Sequence, residues 1–158
     1  PIVDALRTTN AVIVGQNLKF DQKWLLWHFD LELNRVFDTF RASNIVYAGL
    51  PGTHHDLWSL YKRELKEAPE VDDLAASDWD GPLTQRQYDY SADDVDKLLR
   101  LRESLKPKIV SGGLAKIAHL EFQAILPESV MELNHRRPPP RYQGDDSGHG
   151  SREVPGPP

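Results

Sequence analysis

Only two short segments of this 158-residue chain have the pattern of a buried strand, and this shortage constrains the fold more than any other feature. One is the aliphatic run at residues 11–14, which ends at Gly15, and the other is Val36-Phe37. A two-stranded sheet is not stable by itself in water. The chain is therefore either an all-helical domain or a helix-dominated part of an α/β fold whose other strands are missing.

Helical periodicity dominates the rest of the chain as far as residue 134. The Asp38-Thr39 pair predicts an N-cap, and Thr84 with Gln87 has the spacing of a capping box. The spacing of apolar residues predicts helices over 20–29, 39–48, 55–65, from Thr84 to near Pro107, and 114–133.

The positions of the prolines predict where these helices are interrupted or end. The fourth helix is expected to end near Pro107, and Pro127 is expected to kink the fifth or to separate two helices. Residues 135–158 hold six of the 12 prolines and few apolar side chains. We expect this tail to be disordered, because it has too little apolar surface to offset the entropy of ordering.

Composition excludes several classes of protein. The chain contains no cysteine, so it has neither disulfides nor thiolate metal sites. No apolar run approaches the ~20 residues that cross a bilayer, and no basic and apolar leader is visible. We therefore expect a cytoplasmic protein without a membrane partner. The net charge of −5 disfavours coating of duplex nucleic acid, so a nucleic-acid partner requires a local site.

The first segment with chemical potential runs from Gly15 to Asp21, where a strand gives way to a helix. Backbone amides at such an edge favour anions, so Asn17 could contact a phosphate and Asp21 could bind a metal ion. The alternative is that Asn17 is a turn residue and that Asp21 favours the positive end of the helix dipole. The residues alone leave both interpretations open.

The second segment lies on the helix that Thr84 begins. Tyr90 and Asp94 are four residues apart, so a phenol and a carboxylate share one helical face. Such a pair can hold a metal ion and hydrogen-bond a water molecule. The alternative is a half-buried tyrosine beside a solvated acid.

Taken together, the two segments resemble motifs of the 3′–5′ exonuclease domain of bacterial DNA polymerase I and of its relative ribonuclease D. These are the DEDD exonucleases that carry a tyrosine. Order and spacing agree over roughly residues 10–105. The matching segments are Gly15-Gln16-Asn17-Leu18-Lys19-Phe20-Asp21, Val36-Phe37-Asp38-Thr39-Phe40-Arg41-Ala42-Ser43, Ser77-Asp78-Trp79, Pro82 to Gln87, and Tyr90-x-x-x-Asp94.

The resemblance implies a fold and a chemistry. The fold is α/β, a ribonuclease H-like exonuclease with a mixed central sheet, and the reaction is phosphodiester hydrolysis with two divalent metal ions, Mg²⁺ or Mn²⁺. By resemblance, Asp94 binds the ion that activates water, Tyr90 orients that water, and Asp21 serves the second ion. Gln16 and Asn17 contact the terminal nucleotide.

One family motif is absent from the sequence. The first motif, Asp-x-Glu, precedes the position of Gly15 in the family, and residues 1–14 contain no glutamate. Asp30-Leu31-Glu32 follows the second motif and is in the wrong order to replace it. We expect that the chain is truncated at its N-terminus and has lost the first strands and two of the four catalytic carboxylates.

These observations predict a proofreading exonuclease that acts on single-stranded DNA 3′ ends and is nearly inactive as this fragment. Residues 1–110 form the partial exonuclease domain, and 111–134 form a helix leading toward a polymerase domain, because 120–134 resembles that junction. The alternatives are a noncatalytic nucleic-acid-binding module of the same fold and a ribonuclease D-like enzyme that processes RNA.

Other polar and aromatic clusters receive structural interpretations. His54-His55-Asp56 is read as a loop or helix cap and not as a metal site, because adjacent side chains diverge. The tryptophans at positions 24, 27, 58 and 79 are read as core residues. The basic side chains near the end of the fourth helix are read as a solvated helix end: Arg100, Arg102, Lys106 and Lys108.

Overall fold

The computed structural model describes residues 2–67, 77–78 and 81–134. Trp79 and the predicted disordered tail, residues 135–158, lie outside the described residues. The elements are helix α1 (Ile2–Thr8), strand β1 (Ile13–Gly15), α2 (Leu18–Phe29), β2 (Val36–Asp38), α3 (Thr39–Val46), α4 (Leu57–Leu60), a π-helical turn (Tyr61–Leu65), α5 (Gln85–Ser111) and α6 (Ala115–Asn134).

The two predicted strands pair in parallel. Ile13 aligns with Val36, Val14 with Phe37, and Gly15 with Asp38. Within the described ranges the sheet consists of these two strands, and helices pack against it. Because the strands are parallel, the carboxyl ends of both lie at one edge, and the chain enters α2 and α3 from that edge.

Helices α3, α5 and α6 and the π-helical turn enclose the main core. Its fully buried members include Ala42, Leu60, Leu101 and Leu105, and Phe37 joins them from β2. Each fully buried leucine contributes about 2 kcal/mol through removal of apolar surface from water. The core therefore holds the second half of α5, from Leu98 to Ile109, against β2 and α3.

The predicted caps are confirmed. The Asp38 carboxylate accepts hydrogen bonds from Phe40 and Arg41 at the start of α3. Thr84 and Gln87 form a reciprocal capping box at the start of α5. These caps form because their side chains lie within three residues of the N–H groups that a helix start leaves unpaired.

Neither proline ends its helix, so Pro127 does not separate two helices, which was one of its two predicted effects. Helix α5 continues through Pro107 to Ser111, and α6 is one helix that includes Pro127. Proline removes one intrahelical hydrogen bond, and the helix continues where packing on both sides compensates. Ile109, which follows Pro107, is buried in the main core. Helix α1 was not predicted at all.

Two of the basic residues and one tryptophan also depart from the prediction. Lys108 donates to the buried carboxylate of Glu64 at 2.6 Å, and the Arg102 guanidinium lies 5.8 Å from the centre of the Phe37 ring. Neither side chain is simply solvated, because the second half of α5 packs against other elements. Trp24 is 36% exposed and not a core residue. Trp27 and Trp58 are partly buried.

In the part of the chain that the structure describes, no helix has the length and the apolar character needed to cross a bilayer.

Candidate active site

The candidate site begins at the edge where both strands end. Asp38, the last residue of β2, is 1% exposed, and its carboxylate accepts hydrogen bonds from two helix starts. Its Oδ1 accepts from Phe40 N at 2.8 Å and from Asn17 N at 3.1 Å, and its Oδ2 accepts from Leu18 N at 2.9 Å. Burial raises the pKa of Asp38, and these backbone N–H groups oppose the shift. One carboxylate therefore fixes the start of α2 relative to α3.

Asn17 and Gln16 occupy the connection between β1 and α2. Asn17 has φ 56° and ψ 48°, a left-handed conformation that asparagine tolerates better than most residues. Gln16 donates to the His55 carbonyl at 2.9 Å, and its Oε1 accepts from the Thr39 hydroxyl at 2.5 Å. Both polar atoms of Gln16 are therefore engaged within the protein, which fixes its side-chain orientation.

Asp21 lies in the first turn of α2 and is exposed. Partial desolvation raises the pKa of its carboxyl, its own backbone N–H opposes the shift, and the charge of Asp38 raises it further. Phe20, Trp24 and Leu25 line an open cleft of about 450 Å³ together with Asp21. Such a cleft can bind a cation through its carboxylate and stack a nucleic-acid base on its aromatic rings.

Tyr90 and Asp94 lie one turn apart on α5. Burial raises the pKa of Asp94, Asp93 raises it further, and Lys97 and hydrogen bonds from Tyr90 and Tyr61 oppose the shift. The Tyr61 hydroxyl also donates to the backbone carbonyl of Asp94 at 3.2 Å. The phenol and the carboxylate therefore share one face of α5, as their spacing predicted, and Tyr61 reaches the Asp94 backbone from another element.

The predicted metal residues do not form a cluster of three or more metal-ligating side chains within the ranges that the structure covers. The charge of Asp38 contributes to the raised pKa of Asp21. Different charges, those of Asp93 and Lys97, influence the pKa of Asp94. Both predicted ligands are carboxylates, the donors that Mg²⁺ and Mn²⁺ prefer. The donor chemistry of each carboxylate therefore fits a divalent ion.

The His54-His55-Asp56 segment has the predicted capping role. The Asp56 carboxylate accepts from Ser59 N at 2.9 Å at the start of α4. The His55 Nδ1 lies 2.8 Å from the buried Ser43 hydroxyl. The segment therefore caps α4, and the His55 carbonyl accepts the hydrogen bond from Gln16.

Sequence reasoning missed two residues at the site. The cap from Asp38 to α3 is visible as a local motif, but its bonds to Asn17 and Leu18 cross about 20 residues. Tyr61 shares a predicted apolar helix face with Leu57 and Leu60, and this pattern indicates burial without indicating where the hydroxyl points. Adjacent parallel strand ends were the one signal that could have brought Asp38 to the start of α2.

Comparison with protein families gives a match over most of the chain. Residues 1–110 match the model of a family described as 3′–5′ exonuclease. A DNA polymerase I from Rhizobium leguminosarum is 30% identical over 140 residues. The match covers 80% of this chain and 14% of that polymerase, so the chain spans a small part of the relative's length.

Solved nuclease structures share the fold. A structure described as the apo form of a nuclease has a TM-score of 0.77 at 23% identity, with coverage of 94% of this chain and 69% of that one. NrnC from Brucella melitensis has a TM-score of 0.73 at 25% identity, covering 85% and 65%. NrnC with bound Mg²⁺ has a TM-score of 0.75 at 24% identity, covering 95% and 70%. The helix-rich architecture with its small parallel sheet is therefore that of a ribonuclease H-like nuclease.

Proposed function

This chain belongs to the 3′–5′ exonuclease family, and from that membership we propose that it is the part of a proofreading exonuclease that carries the second and third catalytic motifs. The observation that carries the proposal is that Tyr90 and Asp94 share one face of α5, one helical turn apart. Its substrate is the 3′ end of single-stranded DNA. Residues 111–134 lead toward a polymerase domain in the parent protein, as the similarity to a DNA polymerase I suggests.

Each residue has a role that follows from its place. Asp94 and Asp21 hold the divalent ions, two in number, and the Mg²⁺ in the similar NrnC structure supports this choice of cation. When bound, such ions supply charge stabilisation and lower the pKa of water. The Tyr90 hydroxyl orients the attacking water, and Asn17 contacts the terminal nucleotide. Gln16 holds the loop that carries Asn17, because both of its polar atoms already have protein partners.

The substrate follows from shape and charge. The cleft beside Asp21 exposes the Phe20 and Trp24 rings, whose centroids lie 6.3 Å apart. Stacking of a base on an aromatic side chain contributes about 1–3 kcal/mol and tolerates any base. A chain with net charge −5 gains little binding affinity from neutralising many phosphates. A single strand bound near its end is therefore a better substrate for it than a duplex.

A ribonuclease D-like enzyme that acts on RNA 3′ ends is the second candidate, because the coverage of the structural matches weakens the case for a polymerase that rests on α6. The nucleases with TM-scores of 0.77 and 0.75 cover 94% and 95% of this chain, which extends beyond residue 110 into α6. Helix α6 is therefore common to the nuclease fold and does not by itself indicate a polymerase. A competition between DNA and RNA strands of the same sequence distinguishes the two substrates.

The test is nucleotide release from a 3′-labelled single strand in the presence of Mn²⁺. We expect slow release by residues 1–158, because the sequence contains no Asp-x-Glu before Gly15. Asp94→Ala should lower that rate at least about 100-fold. The matched control is Asp96→Ala, which removes an exposed acid from the same helix and should leave the rate unchanged.

Two outcomes contradict parts of this proposal. Release that Asp94→Ala leaves unchanged removes Asp94 from the active site. Rapid release that Asp94→Ala abolishes supports the nuclease but contradicts the expectation that these residues are nearly inactive alone.

A further inference from the structure

His55 connects helix α3 to the loop that carries Asn17. Its backbone carbonyl accepts from the Gln16 side chain at 2.9 Å, and its ring nitrogen Nδ1 lies 2.8 Å from the hydroxyl of Ser43, which is 0% exposed. The other polar atom of Gln16 accepts from the Thr39 hydroxyl at 2.5 Å. The residue before Asn17 is therefore held on one side by α3 and on the other by His55.

Arg63, on the π-helical turn, sets the direction of the hydrogen bond between Ser43 and His55. Its guanidinium donates to the Ser43 hydroxyl oxygen at 2.7 Å and to the His54 carbonyl at 2.9 Å. Among the described residues, the one acceptor that the Ser43 proton reaches is His55 Nδ1. Because a buried donor without an acceptor is unfavourable, Ser43 donates to that nitrogen. The His55 ring is therefore neutral, with its proton on Nε2.

Protonation of His55 is incompatible with this arrangement. A protonated imidazole donates from both ring nitrogens, so Nδ1 can no longer accept from Ser43. The buried Ser43 hydroxyl then loses its acceptor, while its oxygen is already occupied by Arg63. Because the ring is only partly buried, it can leave Ser43 for water, and the His55 carbonyl is then no longer held against Gln16.

The groups around the ring favour its neutral form. Burial lowers the pKa of His55 below its ordinary value of 6.5, and the charge of Arg63 lowers it further. Within the segment itself, His54 adds to this shift and Asp56 opposes it. From α3 the ring meets an uncharged neighbour, the Phe40 ring, at 6.3 Å between ring centroids. The stabilisation from the neutral ring is therefore fully present above pH 6.5 and is lost as the pH falls through the lower pKa of the folded state.

We propose that His55 is a positioning residue: its neutral ring holds the loop of Gln16 and Asn17 in place, and protonation of the ring releases that loop. This inference rests on the proposed function, in which Asn17 contacts the terminal nucleotide. Affinity for a strand end should then decrease as the pH falls. General electrostatics acts in the opposite direction, because protonated histidines add positive charge and strengthen the binding of phosphates.

The first experiment follows the Gln16 side-chain amide signal of residues 1–158 by NMR between about pH 8 and pH 5, without nucleic acid. We expect this signal to shift with the same midpoint as the His55 ring. His55→Asn is the decisive variant, because asparagine keeps an acceptor near the position of Nδ1 but does not titrate. It should keep the Gln16 signal at its high-pH position. Ser43→Ala removes the donor that favours the neutral ring, so it should raise the His55 midpoint toward 6.5.

The matched control is His54→Asn. His54 is exposed, and Arg63 contacts its backbone carbonyl, which asparagine retains. The Gln16 signal should still titrate in this variant. The Asp38 carboxylate also acts on the loop, through the Asn17 N–H, and any shift that it causes persists in both variants. The inference is overturned if the Gln16 signal does not follow the His55 ring, or if its titration persists in full in His55→Asn.

The second experiment adds a single-stranded DNA oligonucleotide to the same samples. We expect the strand to shift the Asn17 amide signal, with an affinity at the high end of the pH range at least about 5-fold above that at the low end. His55→Asn should abolish this decrease. An affinity that is constant or rises as the pH falls overturns the inference. A strand that leaves the Asn17 signal unchanged at every pH instead contradicts the nucleotide contact in the proposed function, whereas the Gln16 signal without nucleic acid decides the role of His55.

Discussion

Leu18 donates its backbone N–H to the carboxylate of Asp38 at 2.9 Å, so the last residue of β2 caps a helix that begins 20 residues earlier. The same carboxylate caps α3 through Phe40 at 2.8 Å. Two helix starts converge on one buried charge, as the positive ends of helix dipoles favour. The positions of the helix starts beside the candidate active site therefore depend on Asp38, a side chain that contacts no substrate in the proposed mechanism.

Asp38→Ala should destabilise the protein more than the loss of an ordinary cap. Loss of a single N-cap side chain costs about 1 kcal/mol, and buried N–H groups left without acceptors cost about 1–3 kcal/mol more. We expect a loss of about 3 kcal/mol in the free energy of unfolding, measured by urea denaturation. Asp56→Ala is the control, because Asp56 caps the short α4 at an exposed position and should cost about 1 kcal/mol. Equal losses of unfolding free energy for the two variants would show that capping two helices with one carboxylate adds no stability beyond that of a single cap.

Glu64 connects α5 to the π-helical turn through a buried carboxylate. Its side chain is 0% exposed, and it accepts from Lys108 at 2.6 Å, Ser104 at 2.7 Å and Tyr47 at 2.5 Å. Burial by itself would raise the pKa of Glu64, but these hydrogen bonds outweigh burial and lower it below 4.5. The carboxylate is therefore more stable ionised in the folded protein than in the unfolded chain.

This shift predicts how stability depends on pH. The stabilisation from Glu64 is fully present above its ordinary pKa of 4.5 and is lost as the pH falls through the lower pKa of the folded state. Glu64→Gln should cost about 3 kcal/mol at pH 7, because it leaves Lys108 without its buried partner. The difference between the two proteins should shrink as the pH falls below 4.5, in urea unfolding measured from pH 7 to pH 3.

The control for the pH series is Glu103→Gln, which changes a glutamate on α5 whose side chain is 68% exposed. It should alter stability by less than about 1 kcal/mol at every pH. A constant difference between the native chain and Glu64→Gln across the series would contradict the lowered pKa.

Pro107 lies within α5, and its replacement should stabilise the protein. Proline in a helix interior destabilises the folded protein by about 3 kcal/mol relative to alanine. Alanine leaves the unfolded chain more conformational freedom, which reduces the expected gain in stability by about 1 kcal/mol. Because α5 continues four residues beyond Pro107 to Ser111, Pro107→Ala should raise the free energy of unfolding by about 2 kcal/mol. Thermal denaturation followed by circular dichroism measures the change.

Pro127→Ala in α6 is the parallel test, because that proline is also exposed within a continuous helix. A similar gain there would show that neither proline has a structural role. A loss of stability at position 107 alone would mean that the backbone of α5 has adapted to the proline so closely that alanine no longer fits.

The sequence determined those features that depend on neighbours within one or two helical turns. The capping box of Thr84 and Gln87, the cap that Asp38 provides to α3, and the helical face shared by Tyr90 and Asp94 all involve residues two to four positions apart. The helical backbone brings such residues together whatever the rest of the chain does. The same local rules failed at Pro107, because packing of Ile109 into the core outweighs one missing hydrogen bond.

The tertiary structure alone decided the contacts between distant segments. The bond from Tyr61 to Asp94 spans 33 residues and that from Lys108 to Glu64 spans 44. A sequence pattern predicts that Tyr61 is buried, but it contains no information about which distant polar group the hydroxyl meets. That choice depends on how the π-helical turn and α5 pack, because a buried polar group must find its partner among the atoms that packing brings within reach.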